Sequence, residues 1–341
     1  MRVSQLILIY MCMAFQVNHA NGNGPDTCAA NGIKQMSAGN YSAAIKTFEN
    51  CLSADPANAR LYFQKGTCYL LLKKPGIALV DFNQALLLDS TLYETFYNRG
   101  LAQQALSNYT FAEADFLIYR SRVPGDHKAI KNLAILMEDM LDYNAAVKYY
   151  SDYLSLYPED VQVRKSRALT YASLNRVKDA IADLDICLKP NISDTSILMC
   201  KGNVYFDALM FDEAIDAYNV VLFTYPEFRA ALLNRADAYN SAGRYEEAVR
   251  DYTKLSLNDK YNAENYFNLG FCYLQLNRNQ DAIIYFGKAL DTDYPNIGLL
   301  LTLRGVAYNN MKMQQEACSD WQKAINTGYK DASAYLKNYC K

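Results

Sequence analysis

The chain has 341 residues, 51% of them hydrophobic and 21% charged, with 34 basic and 36 acidic side chains interspersed to a formal net charge of -2. No basic run exists to attract phosphates, which excludes nucleic acid as a partner. The 2 histidines, His19 and His127, leave almost nothing for histidine acid–base chemistry or a histidine-rich metal site, and no phosphate-cradling glycine loop, nucleophile elbow or Cys-x-x-Cys pair appears. The expectation is a protein that is not an enzyme, with no catalytic residues, no cofactor and no metal.

Residues 1–20 carry Arg2, an apolar stretch from Leu6 to Phe15 and then Asn18-His19-Ala20. That is the outline of a secretory signal peptide. The stretch is shorter than the ~20 apolar residues that span a bilayer. Residues 21–24 form a short polar linker, and the mature chain is expected to lack an integral membrane span. Cys12 does not follow the small residue of a lipoprotein cleavage site, so no lipid anchor is expected.

From residue 25 onward the chain repeats. Ala44, Ala78, Ala112, Ala146, Ala180, Ala214, Ala248 and Ala282 recur every 34 residues, and Ala317 follows after 35. Twelve residues before each stands a small residue: Gly32, Gly66, Gly100, Ala134, Ala168, Gly202, Ala236, Gly270 and Gly305. Four residues after each stands a large one: Phe48, Phe82, Phe116, Tyr150, Leu184, Tyr218, Tyr252, Phe286 and Trp321. Three residues after the small position a tyrosine recurs, as at Tyr69, Tyr171, Tyr205, Tyr239, Tyr273 and Tyr308, and Pro56, Pro124, Pro158 and Pro226 close four repeats.

A period of this length marks a stacked array. Residues three, four and seven apart share one helical face, and breakers such as Ala38-Gly39-Asn40 and Ser241-Ala242-Gly243-Arg244 fall midway between two apolar stretches. Each repeat is therefore expected to be a helical hairpin. Its small residue and its alanine lie where two backbones approach closely, and the aromatic fills the gap beside them.

This pattern of large, small, Tyr, Ala, aromatic, Ala and Pro resembles the tetratricopeptide repeat family. The resemblance implies an all-α, right-handed superhelical solenoid of nine helix-turn-helix repeats, at 25–58, 59–92, 93–126, 127–160, 161–194, 195–228, 229–262, 263–297 and 298–331. The extra residue around Asp293-Tyr294-Pro295-Asn296 is expected to lengthen one loop. Residues 332–341 are expected to form a capping helix that sets Ala334, Leu336 and Tyr339 against the last hairpin and Lys337, Asn338 and Lys341 toward water. The run from Ala317 to Ala324 with the closing Tyr339-Cys340 resembles the terminal repeat of exported proteins of Bacteroidetes-type bacteria.

Nine cysteines are present, and loss of Cys12 with the signal peptide leaves an even number in a compartment where disulfides persist. Antiparallel geometry favours a bridge between Cys318 and Cys340. Cys28 with Cys51 is a second candidate, and Cys187 with Cys200 a third. Cys68 and Cys272 hold equivalent positions far apart in the array and are expected to be unpaired. The alternative is that all of these are small buried packing residues.

In the family the concave wall, lined by first helices, holds extended peptides or a partner's helix. Two residues before each small position, Asn98, Asn132, Asn234 and Asn268 resemble an asparagine ladder that bonds a bound backbone, interrupted at Ser166 and Cys200. Asparagine there can also satisfy the backbone of the neighbouring repeat. Phe63, Tyr97, Phe267 and Phe271 are expected beside the ladder as groove anchors not needed for hairpin packing. His127 is expected to be a solvent-exposed turn residue.

The expected function is an exported, non-enzymatic interaction scaffold for a peptide or protein partner in the bacterial periplasm or cell envelope, within an envelope complex. Two alternatives belong to other classes. One is carbohydrate handling on a tyrosine and asparagine platform. The other is a secreted or ER-luminal co-chaperone, for which Asn40-Tyr41-Ser42, Asn108-Tyr109-Thr110 and Asn191-Ile192-Ser193 are formal glycosylation triplets.

Overall fold

The computed structural model describes residues 25–259 and 262–340, so the expected signal peptide and linker lie outside it. Among the described residues there are 19 helices and no strand. They fall into two compact units, one ending at Val163 and one beginning at Arg164.

The first unit pairs α1 (Pro25–Ser37) with α2 (Tyr41–Ala54), α3 (Ala59–Leu71) with α4 (Pro75–Leu88), α5 (Glu94–Ala105) with α6 (Tyr109–Arg122), and α7 (Lys128–Asp139) with α8 (Tyr143–Leu156). At the unit boundary lies α9 (Val161–Ser173), and the second unit continues with α10 (Val177–Leu188). It goes on to α11 (Thr195–Asp207) with α12 (Phe211–Thr224), and α13 (Arg229–Ser241) with α14 (Tyr245–Asn258). Then come α15 (Ala263–Gln275) with α16 (Asn279–Asp291), α17 (Ile297–Asn310) with α18 (Gln314–Asn326), and the closing α19 (Ala332–Tyr339).

The repeating columns are the core. All nine alanines are 0% exposed, and the nine large residues after them are at most 1% exposed. A Cβ added at Gly305 would stand 2.5 Å from the indole of Trp321, and one at Gly66 2.8 Å from the ring of Phe82; Gly202 meets Tyr218 in the same way. The small residue is thus required by the aromatic that lies over it.

Each first helix stops in the same manner. The N–H of Asn40, Lys74, Asn108, Asp142, Arg176, Met210, Arg244, Arg278 and Met313 donates back to the carbonyl five residues earlier at 2.8–3.0 Å. This is the Schellman closure. The tyrosine column stands at this closure: Tyr171, Tyr239 and Tyr273 supply the accepting carbonyl, and Arg176, Arg244 and Arg278 lie over their rings at 4.5, 4.8 and 4.6 Å.

The closure needs one residue with positive φ. Gly39 and Gly243 provide it as the sequence predicts, but Lys73, Ser107, Leu141, Asn175, Leu209, Asn277 and Lys312 also adopt it, at 57 to 62°. Leu209 is 74% exposed and gains nothing from packing there. A left-handed L-residue costs ~1–2 kcal/mol, against ~0.5–1 kcal/mol of extra backbone entropy for glycine. Leu209→Gly is therefore expected to stabilise the second unit by about 0.5 kcal/mol, seen as a higher urea midpoint; a lower midpoint would show that the turn is not strained.

A buried ion pair crosses many of the hairpins. Arg99 meets Asp115, Arg167 meets Asp183, Arg235 meets Asp251 and Arg304 meets Asp320, each at 2.7 Å, and Lys65 meets Asp81 at 3.0 Å. The aspartates are 3–5% exposed. At the equivalent positions two hairpins use Leu133 with Tyr149 and Leu269 with Tyr285 instead. The pattern was not anticipated from the sequence.

At the end of the chain, Trp321 donates to the Thr302 carbonyl at 3.1 Å and stacks on Tyr335 at 5.4 Å. Cys318 and Cys340 are bridged, with Cα atoms 5.8 Å apart, as are Cys28 and Cys51 at 5.9 Å. The expected cap is corrected in one detail: Ala332 is buried in place of the exposed Ala334, while Leu336 is half-buried and the exposed Tyr339 still meets Trp321 of the last hairpin, 5.8 Å away.

The third candidate bridge, Cys187 with Cys200, is not formed. Cys187 occupies the position of Cys51, which is bridged to the first turn of its own hairpin's first helix; there the fifth hairpin carries Arg164. Cys200, on the following helix, is only half-buried and lies at the position of the ladder asparagines. Burial pushes the Cys187 thiol up to about 11 and those of Cys68 and Cys272 up to about 12, as expected of inert packing thiols. His127 is half-buried against the edge of Tyr157, 5.9 Å away, rather than exposed.

Candidate functional site

Successive first helices touch one another, α1 with α3, α3 with α5, α11 with α13 and α15 with α17, and so form the tighter, inner layer of each unit. Of the four ladder asparagines, Asn98 and Asn132 lie on this layer in the first unit, Asn234 and Asn268 in the second. The amides of Asn98, Asn132 and Asn234 are already engaged across hairpins. The Nδ2 of Asn98 donates to Thr67 Oγ1 at 2.9 Å, that of Asn132 to the Tyr97 hydroxyl at 2.6 Å, and that of Asn234 to Asn203 Oδ1 at 2.8 Å. These bonds tie side chain to side chain rather than to a neighbour's backbone. They fix the amide planes, and the Oδ1 acceptors of these three make no hydrogen bond among the described residues.

The aromatics differ from the expectation of free anchors. Phe63 packs on Phe82 at 6.3 Å, Tyr97 on Phe116 at 5.8 Å and on Tyr119 at 5.3 Å, and Phe267 on Phe286 at 5.8 Å. Phe267 also stacks face to face on Tyr294 of the lengthened loop at 4.4 Å, and Phe271 meets Tyr245 edge-on at 6.4 Å. All four candidates are half-buried. The first-helix aromatic is long enough to reach its own hairpin's core ring, so it contributes to packing. Burial pushes the Tyr97 hydroxyl up to about 12.

In the second unit the inner layer opens into a cleft of about 240 Å³ between α11 and α13, lined by Asn203, Phe206, Asp207, Tyr218, Asn234 and Asp237. Asn203 Oδ1 accepts from both the Tyr218 hydroxyl and Asn234 Nδ2, each at 2.8 Å. Asp237 Oδ1 accepts from the Tyr252 hydroxyl at 2.5 Å. Burial raises the Asp237 carboxyl above its ordinary value, against the opposing Tyr252 bond, and the charge of Glu264 adds to the rise. Of these residues only Asn234 was expected as a binding residue and Tyr218 only as a packing one, because an aspartate on a first helix carries no local signal of what faces it.

Among the described residues no three His, Cys, Asp or Glu side chains are placed to hold a metal ion, and no helix is long and apolar enough to cross a membrane.

Comparison with known proteins agrees with this architecture. The sequence profile of the tetratricopeptide repeat matches residues 30–91, 132–189 and 201–261, and a second profile of that repeat matches residues 263–296. DnaJ homolog subfamily C member 3 from Mus musculus is 21% identical over 324 residues, covering 86% of this chain and 64% of the relative. BBSome complex member BBS4 from Bos taurus is 20% identical over 289 residues, covering 84% of this chain and 55% of the relative. The chain thus spans less than two-thirds of the length of these relatives. The crystal structure of a tetratricopeptide repeat protein from Parabacteroides merdae superposes with a TM-score of 0.51 at 20% identity, covering 72% of this chain and 97% of that one, a likeness of fold.

Proposed function

Because this chain belongs to the tetratricopeptide repeat family, we propose that it is an exported, non-enzymatic scaffold that binds a peptide segment or protein partner along its first-helix layer. The fold is that of a protein–protein interaction scaffold. The observation that carries the proposal is the set of cross-hairpin amides on that layer, whose carbonyl oxygens are held in fixed orientation for the N–H groups of an extended chain. Export is supported by the signal-like residues 1–20 and by two disulfides, which persist in oxidising compartments. A bacterial periplasm or cell envelope is the proposed location, with an envelope complex as the setting.

The test is affinity capture from the protein's own cells with wild type beside an Asn132→Ala, Asn234→Ala and Asn268→Ala variant whose circular dichroism matches. A partner lost only from the variant is expected. An identical partner set would move the site to the second-helix face or the loops.

The DnaJ-homolog relatives favour a second proposal, a co-chaperone of a eukaryotic secretory pathway. Asn40, Asn108 and Asn191 are all exposed. Intact-mass spectrometry separates the two: glycan on these asparagines supports the secretory pathway, and an unmodified mass the bacterial envelope.

A further inference from the structure

We propose that the cleft between α11 and α13 is a receptor for one basic side chain of a peptide lying on the first-helix layer; this deepens, and rests on, the groove-binding proposal. At about 240 Å³ the cleft is smaller than the ~300–1,000 Å³ of sites for drug-sized ligands, and its size suits a single side chain. Phe206 offers an apolar and π-rich wall for an aliphatic stem or a planar guanidinium.

The polar groups are predominantly acceptors. Asn203 and Asn234 are locked by their mutual bond and by Tyr218, which leaves Asn234 Oδ1 available at the cleft. One oxygen of Asp237 is held by Tyr252, and its second has no hydrogen-bond partner among the described residues. Asp207 adds an exposed carboxylate at the rim.

Among the described residues no lysine, arginine or histidine lines the cleft. Elsewhere in the second unit Asp183, Asp185, Asp212, Asp251, Asp259 and Asp320 each meet an arginine or lysine within 2.6–3.4 Å. Asp207 and Asp237 make no ion pair among the described residues, and the charge that acts on Asp237 is another acid, Glu264. A cation in the cleft is attracted by both carboxylates and restores to Asp237 the solvation lost by burial. An anionic ligand, such as a C-terminal carboxylate, meets the opposite field.

The probes are three fluorescently labelled pools of N-acetylated, C-amidated nonapeptides made of neutral residues around one fixed central residue: arginine, lysine or citrulline. Citrulline keeps the shape of arginine and removes its charge. Anisotropy titrations against the full chain are expected to show the arginine and lysine pools binding at least tenfold more tightly than the citrulline pool. That preference is expected to fall below threefold in Asp207→Asn with Asp237→Asn, with citrulline binding unchanged. Asp207→Asn alone, at an exposed position where folding is not at stake, is expected to lose part of the preference.

Equal affinity for all three pools in the wild type, or a preference that survives the double variant, overturns the inference. If the pools bind equally and the Asn132, Asn234 and Asn268 variant abolishes that binding, the groove stands and only the basic-residue cleft falls. Absence of binding by every pool also overturns the cleft, and the groove then stands or falls on the affinity capture.

Discussion

Asp251→Ala is expected to destabilise the second unit by about 3 kcal/mol, at the lower end of the range for breaking a buried pair. Asp251 is 3% exposed and holds Arg235 through two bonds, at 2.7 and 2.8 Å. Its loss strands a guanidinium left, among the described residues, with one hydrogen bond, to Asn219 Oδ1 at 2.7 Å, and the Tyr239 ring 5.7 Å away. The Arg235 side chain is 18% exposed and can recover some hydration, which is why the upper end is not expected.

The chain supplies its own control. Two hairpins place Leu133 with Tyr149 and Leu269 with Tyr285 where this one places the ion pair. The double variant Arg235→Leu with Asp251→Tyr is expected to recover most of the loss, because replacing both partners by packed side chains removes the stranded charge. Urea denaturation followed by circular dichroism measures both. A double variant as unstable as the single one would show that the ion pair has a role beyond charge balance at this site.

Trp321→Ala is the second large effect, about 4 kcal/mol from the lost burial and the cavity left behind. Trp321 is 0% exposed, its indole N–H is satisfied by the Thr302 carbonyl, and its ring supports both Tyr335 and Tyr339 of the cap. The damage is expected to stay local, since each hairpin of such an array leans mainly on its neighbours. Hydrogen exchange should accelerate by roughly a thousandfold across residues 297–340 and little in the preceding hairpins. The Cys318–Cys340 bridge keeps α19 tethered, so the segment frays without detaching. A uniform acceleration throughout the chain would contradict this picture.

The sequence by itself determined the helices, their pairing into hairpins and the buried columns, and it offered the two terminal bridges among three candidates. The physical reason is repetition. A packing position must be met again every 34 residues, so the demand of Trp321 for Gly305, or of Tyr218 for Gly202, appears as a column that periodicity alone reveals. The bridges were legible because a hairpin sets matching heights for Cys28 and Cys51, and a capping helix for Cys318 and Cys340.

Only the tertiary structure decided what the inner layer does with its polar and aromatic residues. Asn132 reaches Tyr97 and Asn234 reaches Asn203, pairs 35 and 31 residues apart whose members change identity from one hairpin to the next. Phe63 and Phe267 were expected to stand free, yet a ring of that length reaches Phe82 and Phe286. Turn conformation was half visible: Gly39 and Gly243 announced it, while Leu141 and Leu209 are forced into it by the closure on either side. The cleft between α11 and α13 arises from three helices converging, and Asp207 and Asp237 come to line one space only when those helices pack.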